Sequence, residues 1–205
     1  MLLLIPIAYF LTLFGFYEGV LFKRRIDYWH ASWAVCGYFA LATCGALVFI
    51  SSQPLTYALA FSTSEILSIF AVFSIFLLTA ARGRFAFIPG GEGSMGYALA
   101  KSADIVFQNT MAIIVAHGCI ALFGTVLGGV VFAAYFCFAH LLLLFILPAR
   151  YALIFASAAL MGGAVLALAS AVEGGFGYVL ALHLLFYVAS YPYIRRVRMR
   201  YLRLE

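Results

Sequence analysis

Apolar residues fill this chain in long blocks, and polar residues gather where one block gives way to the next. A helix needs about 20 apolar residues to cross a hydrocarbon core roughly 30 Å thick, and seven blocks reach that length. The first covers about residues 2–22 and stops at Lys23-Arg24-Arg25; the second covers 31–51 and is followed by the neutral turn Ser51-Ser52-Gln53-Pro54. The third covers 55–80 and ends before Arg82 and Arg84. The stretch from Arg82 to Lys101 is the longest loop expected, and its Pro89-Gly90-Gly91-Glu92-Gly93 predicts irregular backbone. The fourth block covers 103–123, and Gly124, Gly128 and Gly129 predict a tight turn into the fifth, which ends near Leu147. Pro148-Ala149-Arg150 leads into the sixth, 151–171, and Glu173-Gly174-Gly175 into the seventh, 176–194. The expected fold is all-α: a polytopic membrane bundle of about seven transmembrane helices, one domain over residues 1–205, with a basic tail at 195–205.

The cations add a direction. Lys and Arg fall at Lys23 to Arg25, at Arg82, Arg84 and Lys101, at Arg150, and at Arg195, Arg196, Arg198, Arg200 and Arg203. All four places lie at the same end of an alternating seven-span topology. Short loops rich in Lys and Arg mark the cytoplasmic face, so the N-terminus is expected outside and the C-terminus inside. The membrane expected is a bacterial inner membrane or its equivalent, and no cleavable signal peptide is read in the first 22 residues.

Composition narrows the partners. The chain is 67% apolar and 9% charged, against about 25% charged in a soluble domain, so it cannot present a water-facing surface. Its net charge of +5 is accounted for by orientation, and no nucleic-acid partner is expected. The expected partners are the lipid bilayer and other membrane protein subunits. The glycine-rich stretch lacks the closing Gly-Lys-Ser/Thr of a phosphate-binding loop. Cys36, Cys44, Cys119 and Cys137 lie within spans with no CxxC pair and read as small packing residues.

Ionisable groups at membrane depth are costly and by default face a protein interior or a wet cavity. Glu65, Asp104, His117, His140 and His183 are such groups, with Gln108 and Asn109 as polar neighbours. Glu18 and His30, near the basic end, read as interfacial anchors. On the helical rise, Gln108 lies roughly 9 Å, His140 roughly 10 Å and His183 roughly 16 Å inside the basic ends of their spans. Asp104 and Gln108 share a helix face, as do Phe136 and His140, and His183 and Tyr187. Three spans therefore bring polar groups to comparable depth in one half of the bilayer. For each histidine the plainer reading is a hydrogen bond to a neighbouring carbonyl or hydroxyl, and it is the preferred one for His117. Glu65, read as near mid-membrane among Ser62, Thr63 and Ser64, suits a structural role and a place in the site equally.

The order of span four, then Phe136-Cys137-Phe138-Ala139-His140, then His183-Leu184-Leu185-Phe186-Tyr187 resembles the CPBP superfamily of intramembrane proteases. These are the CAAX-type prenyl-protein endopeptidases and the bacteriocin-processing or self-immunity proteins. The family's motifs are EExxxR, FxxxH, and HxxxN or a near variant. Phe136 and His140 match the second in full; His183 matches the third, with Tyr187 where Asn is usual. Aligned on 101–108, the first motif places Ala103 and Asp104 at the glutamates and Gln108 at the arginine, so it is degenerate. The resemblance implies a four-helix core over 100–194 and a variable part, 1–81, made of the first three spans. In the family the glutamate activates a water, while the histidines stabilise the oxyanion or bind a metal. Carried over, Asp104 becomes the base, His140 and His183 become oxyanion groups or ligands of a divalent metal, and Gln108 and Tyr187 support them.

Two other functions compete. A family member that has lost catalysis would serve as a binding or assembly subunit, a reading that the degenerate motif and the 21 Phe and 13 Tyr suit; a stable stoichiometric partner would mark it. A b-type haem protein would take axial ligands from His140 and His183, or from His117 and His183, pairs that differ in depth by about 5–6 Å; a Soret band would mark that one.

Overall fold

Backbone with no water to bond must satisfy its own N–H and C=O groups, and this chain does so almost entirely as helices. The computed structural model describes residues 3–51, 63–85, 92–145, 147–172 and 175–202. Helix α1 is Leu4–Phe16, continued by a π-helical turn at Tyr17–Leu21 and a 3-10 turn at Phe22–Arg24. Then come α2 Ser32–Ser51, α3 Thr63–Ala81, α4 Gly93–Phe123, α5 Thr125–Leu141 with a 3-10 extension at Leu142–Phe145, α6 Ala149–Ser170 and α7 Gly175–Leu202. Seven of these segments are long and apolar enough to cross a membrane, as the hydrophobic blocks predict.

The ends of the bundle are sorted. At one end, the loop after α1, the turn after α3, the start of α4 and the second half of α7 meet in an aromatic cluster. Trp29 stacks on Tyr97 with centroids 5.6 Å apart, Tyr97 meets Tyr191 at 4.9 Å, and Phe85 meets Tyr191 at 5.1 Å. Such pairs contribute about 0.5–1.5 kcal/mol each beyond their area. Glu92 ties the same elements together: its N–H donates to the Trp29 carbonyl at 2.7 Å and its carboxylate accepts from the Ser32 hydroxyl. This is the end that carries Lys23, Arg24, Arg25, Arg82, Arg84 and Arg150. At the opposite end Leu3 lies against Gly118, and Glu65 lies against Gly177.

Helix α4 is the axis of the bundle, and residues 107–116 are buried without a break. It has 31 residues, roughly 46 Å on the helical rise, more than the core requires. It begins at Gly93, earlier than the block at 103–123 suggests, and this corrects the loop. Lys101 is no loop cation: it is 5% exposed on the third turn of α4. The residues from Gly93 onward are helical, and residues 86–91 of the expected loop lie outside the described residues. Helix α7 likewise runs past Pro192 to Leu202, so the residues from 195 to 202, expected as a tail, continue the helix.

Two further expectations change. Of the three glycines expected to turn the chain after α4, only Gly124 does so, at φ +78°, a left-handed conformation that suits Gly. Gly128 and Gly129 lie inside α5. A Cβ on Gly128 would sit 2.5 Å from the Cys119 carbonyl oxygen and 2.6 Å from the Ile120 Cα, so this glycine lets α5 lie directly on α4. Gly128→Val should cost at least about 1–3 kcal/mol through overpacking. Gly129→Ala, whose Cβ would meet only the Ala167 Cβ at 3.6 Å, should leave the thermal midpoint in detergent unchanged. Equal midpoints for the two variants would contradict the close approach. Glu65, expected near mid-membrane, is in the first turn of α3, 1% exposed and packed on Gly177 of α7.

Candidate functional site

A cavity of about 330 Å³ opens among α1, α4, α5, α6 and α7 near the basic end of the bundle. Glu18, Tyr28, Trp29, Lys101, Gln108, Asn109, His140, His183 and Tyr187 bring polar atoms to its walls, and Phe155, Gly162, Leu166, Val179 and Leu182 are among its apolar lining. Of the residues singled out from the sequence, His140, His183, Gln108 and Tyr187 therefore share one cavity. Glu65 and His117 are not among its lining residues.

Asp104 stands behind the wall. It is 0% exposed and does not line the cavity. Its Oδ2 accepts from the Lys101 ammonium at 2.5 Å and from the Tyr28 hydroxyl at 2.8 Å, and its Oδ1 accepts from the Gln108 amide at 2.7 Å. Lys101, Asp104 and Gln108 reach one another because i, i+3 and i+4 positions on a helix are neighbours. The Lys101 ammonium also lies over two aromatic faces, 4.1 Å from the Tyr187 centroid and 4.7 Å from that of Tyr28. These contacts give a buried cation a counter-ion and two ring quadrupoles, the conditions under which an ion pair persists in an apolar interior. A carboxylate holding three donors is a counter-ion and an anchor. It is poorly placed to take a proton from water, and the base role that the resemblance implies for Asp104 finds no support in this geometry.

The histidines are held differently. His140 Nδ1 lies 2.8 Å from the Phe136 carbonyl oxygen. That oxygen can only accept, so the neutral ring carries its proton on Nδ1 and keeps the Nε2 lone pair. His183 Nδ1 donates in the same way to the Asn109 Oδ1 at 3.1 Å. The ring of His140 meets Phe136 edge-on at 4.8 Å, and that of His183 stacks on Tyr187 at 5.4 Å, which fixes both orientations. As neutral rings they offer acceptors, the reverse of the oxyanion donors expected from the resemblance. The donor in this place is Asn109: it is 1% exposed, lines the cavity, and its Nδ2 has no hydrogen-bond partner among the described residues. Leaving such a group unsatisfied costs about 1–3 kcal/mol.

A divalent metal at His140 and His183 would need further donors. Among the described residues no three His, Cys, Asp or Glu side chains gather closely enough to hold an ion, so the donor set does not fit the metal expected there.

Glu18 and Lys101 are the residues that the sequence reading misplaced. Glu18, expected as an interfacial anchor, is 4% exposed and faces the cavity. It lies on the π-helical turn at the end of α1, where Tyr17 and Glu18, adjacent in sequence, are both buried. A π turn shifts the helical register by one residue and is frequent at functional sites. No apolar period reveals such an insertion. Lys101 did carry a signal: with Asp104 it makes an i, i+3 pair of opposite charge at the edge of an apolar block. His30, the other expected anchor, is half-buried with Nδ1 2.9 Å from the Asp27 carboxylate. The same carboxylate caps the loop by accepting the backbone N–H groups of Trp29 and His30 at 2.8 and 3.0 Å.

No family model, curated protein or solved structure matches this chain.

Proposed function

We propose that the protein is a membrane-embedded hydrolase whose site is the cavity around His140 and His183, with the CPBP-type endopeptidases as the nearest reaction class. The observation that carries this reading is the combination of two histidines held through Nδ1, which leaves Nε2 as the acceptor of each neutral ring, and one unpartnered amide donor, Asn109 Nδ2, around a single cavity. That is a proton acceptor beside an oxyanion donor, the pair that hydrolysis of a carbonyl compound requires.

The roles differ from those that the resemblance implies. His183, aligned by Asn109, accepts a proton from water on Nε2 as the water oxygen attacks the carbonyl carbon. The carbonyl electron pair moves to oxygen, where the unpartnered Asn109 amide takes the charge. Collapse of the tetrahedral adduct expels an alcohol or amine, which recovers its proton from His183. His140 relays protons across the cavity, and Glu18 offsets the positive charge that forms on the imidazole. Asp104 and Gln108 hold Lys101 in place. Tyr187 positions both the His183 ring and Lys101.

The positive-inside pattern supports a site in the cytoplasmic half of the membrane, and the membrane we propose is a bacterial inner membrane or its equivalent. The test is product release, followed by mass spectrometry, from a panel of membrane peptides and neutral lipid esters and amides. The wild-type protein should cleave at least one class, and the double variant His140→Ala/His183→Ala should cleave none. Equal cleavage by the double variant would reject the reading. A wild-type protein that cleaves nothing and is recovered from its membrane with a stoichiometric partner would establish the assembly-subunit reading in its place.

A further inference from the structure

The apolar part of the cavity has a shape that the chemistry above does not use. Helix α6 lines it with Phe155, Ala158, Ala159, Gly162, Val165 and Leu166, a stripe at helical spacing roughly 16 Å long on the rise. Helix α7 faces it with Val179, Leu182, His183 and Phe186. Helix α6 packs along α5 and touches α7 only sparingly, so the two stripes do not close on each other. Leu182 is 55% exposed, Val165 50% and Phe186 45%, which means that the slot between them opens sideways, toward lipid.

The two neighbouring glycines of α6 divide the work. A Cβ on Gly163 would lie 3.0 Å from the Ala133 Cα and 3.1 Å from the Phe136 Cβ, so Gly163 seats α6 on α5. A Cβ on Gly162 would meet nothing within 4 Å. Glycine in a helix interior costs roughly 0.5–1 kcal/mol relative to alanine. At Gly162 no contact within α6 or α5 explains that cost, and the open space in front of it belongs to the cavity.

The charges at the inner end of the slot select the occupant's head. Glu18 and Asp104 are two carboxyl groups set against one ammonium, Lys101, which Asp104 already pairs. With the histidines neutral the net charge is negative if Glu18 is ionised and zero if it is not. An anionic head therefore gains nothing there, whereas a hydroxyl or amide finds the acceptors of His140 and His183 and the Asn109 donor. A volume of about 330 Å³ is at the small end of ligand sites, too small for a two-chain lipid.

We propose that the cavity takes an uncharged, single-chain amphiphile from the bilayer through the gap between α6 and α7, with the hydrocarbon chain beside Gly162 and the polar head at His183 and Asn109. As the identity of a substrate this rests on the hydrolase reading; as binding it does not. The probe is a diazirine-tagged monoacylglycerol in lipid nanodiscs, with the tagged fatty acid of equal chain length as the anionic control, and labelled peptides mapped by mass spectrometry. The monoacylglycerol should label the α6 and α7 stripes, the fatty acid should label them several-fold less, and Gly162→Phe should reduce monoacylglycerol labelling at least tenfold. If Gly162→Phe does not fold, Ala158→Leu on the exposed rim of the slot should give a partial reduction. Labelling spread evenly over lipid-facing positions such as Leu67 and Phe70 of α3, or unchanged by these variants, would overturn the proposal, as would equal labelling by the fatty acid. Slot labelling without turnover of any substrate would leave this inference standing and remove the hydrolase. Turnover with labelling insensitive to Gly162→Phe would do the opposite.

Discussion

Asp104→Ala should destabilise the folded protein more than any other single polar substitution in the bundle. The variant removes the anion that Lys101 touches at 2.5 Å and strands the Tyr28 hydroxyl and the Gln108 amide, which donate to the same carboxylate. Removing one partner of a buried ion pair typically costs about 3–5 kcal/mol, because the remaining charge stays buried and uncompensated. The expected result is a large drop in the thermal midpoint in detergent and a poor yield from membranes. Asp104→Asn, which keeps one acceptor oxygen for Tyr28, should fall between. The double variant Lys101→Met/Asp104→Leu should recover most of the loss, since replacing both members of a buried pair by apolar groups is often neutral. A stable Asp104→Ala variant, or a double variant no better than the single one, would show that the pair does not hold the start of α4 against the loop that carries Tyr28.

His183→Ala should lower the turnover of any substrate that the wild-type protein cleaves by about 10²–10⁴-fold, the usual contribution of a positioned general base. Thermal stability should change little by comparison, because only one hydrogen bond, to Asn109, is lost. Asn109→Ala should also slow turnover, by about 10²–10³-fold, as expected for the loss of one oxyanion donor. The two effects should combine to less than their product, because Asn109 also orients the His183 ring and residues that act as a unit are not additive. Should both variants retain full turnover, the chemistry lies elsewhere, and the cavity serves binding alone.

Local rules carried far in this chain. The blocks at 31–51 and 151–171 correspond to α2 Ser32–Ser51 and α6 Ala149–Ser170 within two residues at each end, because in lipid the length of an apolar run and the polar residues that stop it are themselves the boundary conditions. The same logic misplaced Lys101. A cation ends a span only when it reaches water, and Lys101 instead reaches Asp104, one helical turn further along α4. For Gly128 composition suggested a turn and packing required a close approach; the second cannot be read without knowing that the α4 backbone lies opposite.

What the sequence by itself determined is the class of the molecule, its seven helices long and apolar enough to cross a membrane, and the separation of a basic end from a neutral one. Each of these follows from hydropathy, charge and helical rise, which act along the chain. Only the tertiary structure decided which polar groups face one another. It turned Glu18 inward on a π-helical turn, tied Asp104 to three donors behind the cavity wall, set the tautomers of both histidines through Phe136 and Asn109, and left a slot between α6 and α7. Those choices depend on register and crossing geometry between helices far apart in sequence, where a shift of one residue rotates a side chain by about 100° around its helix.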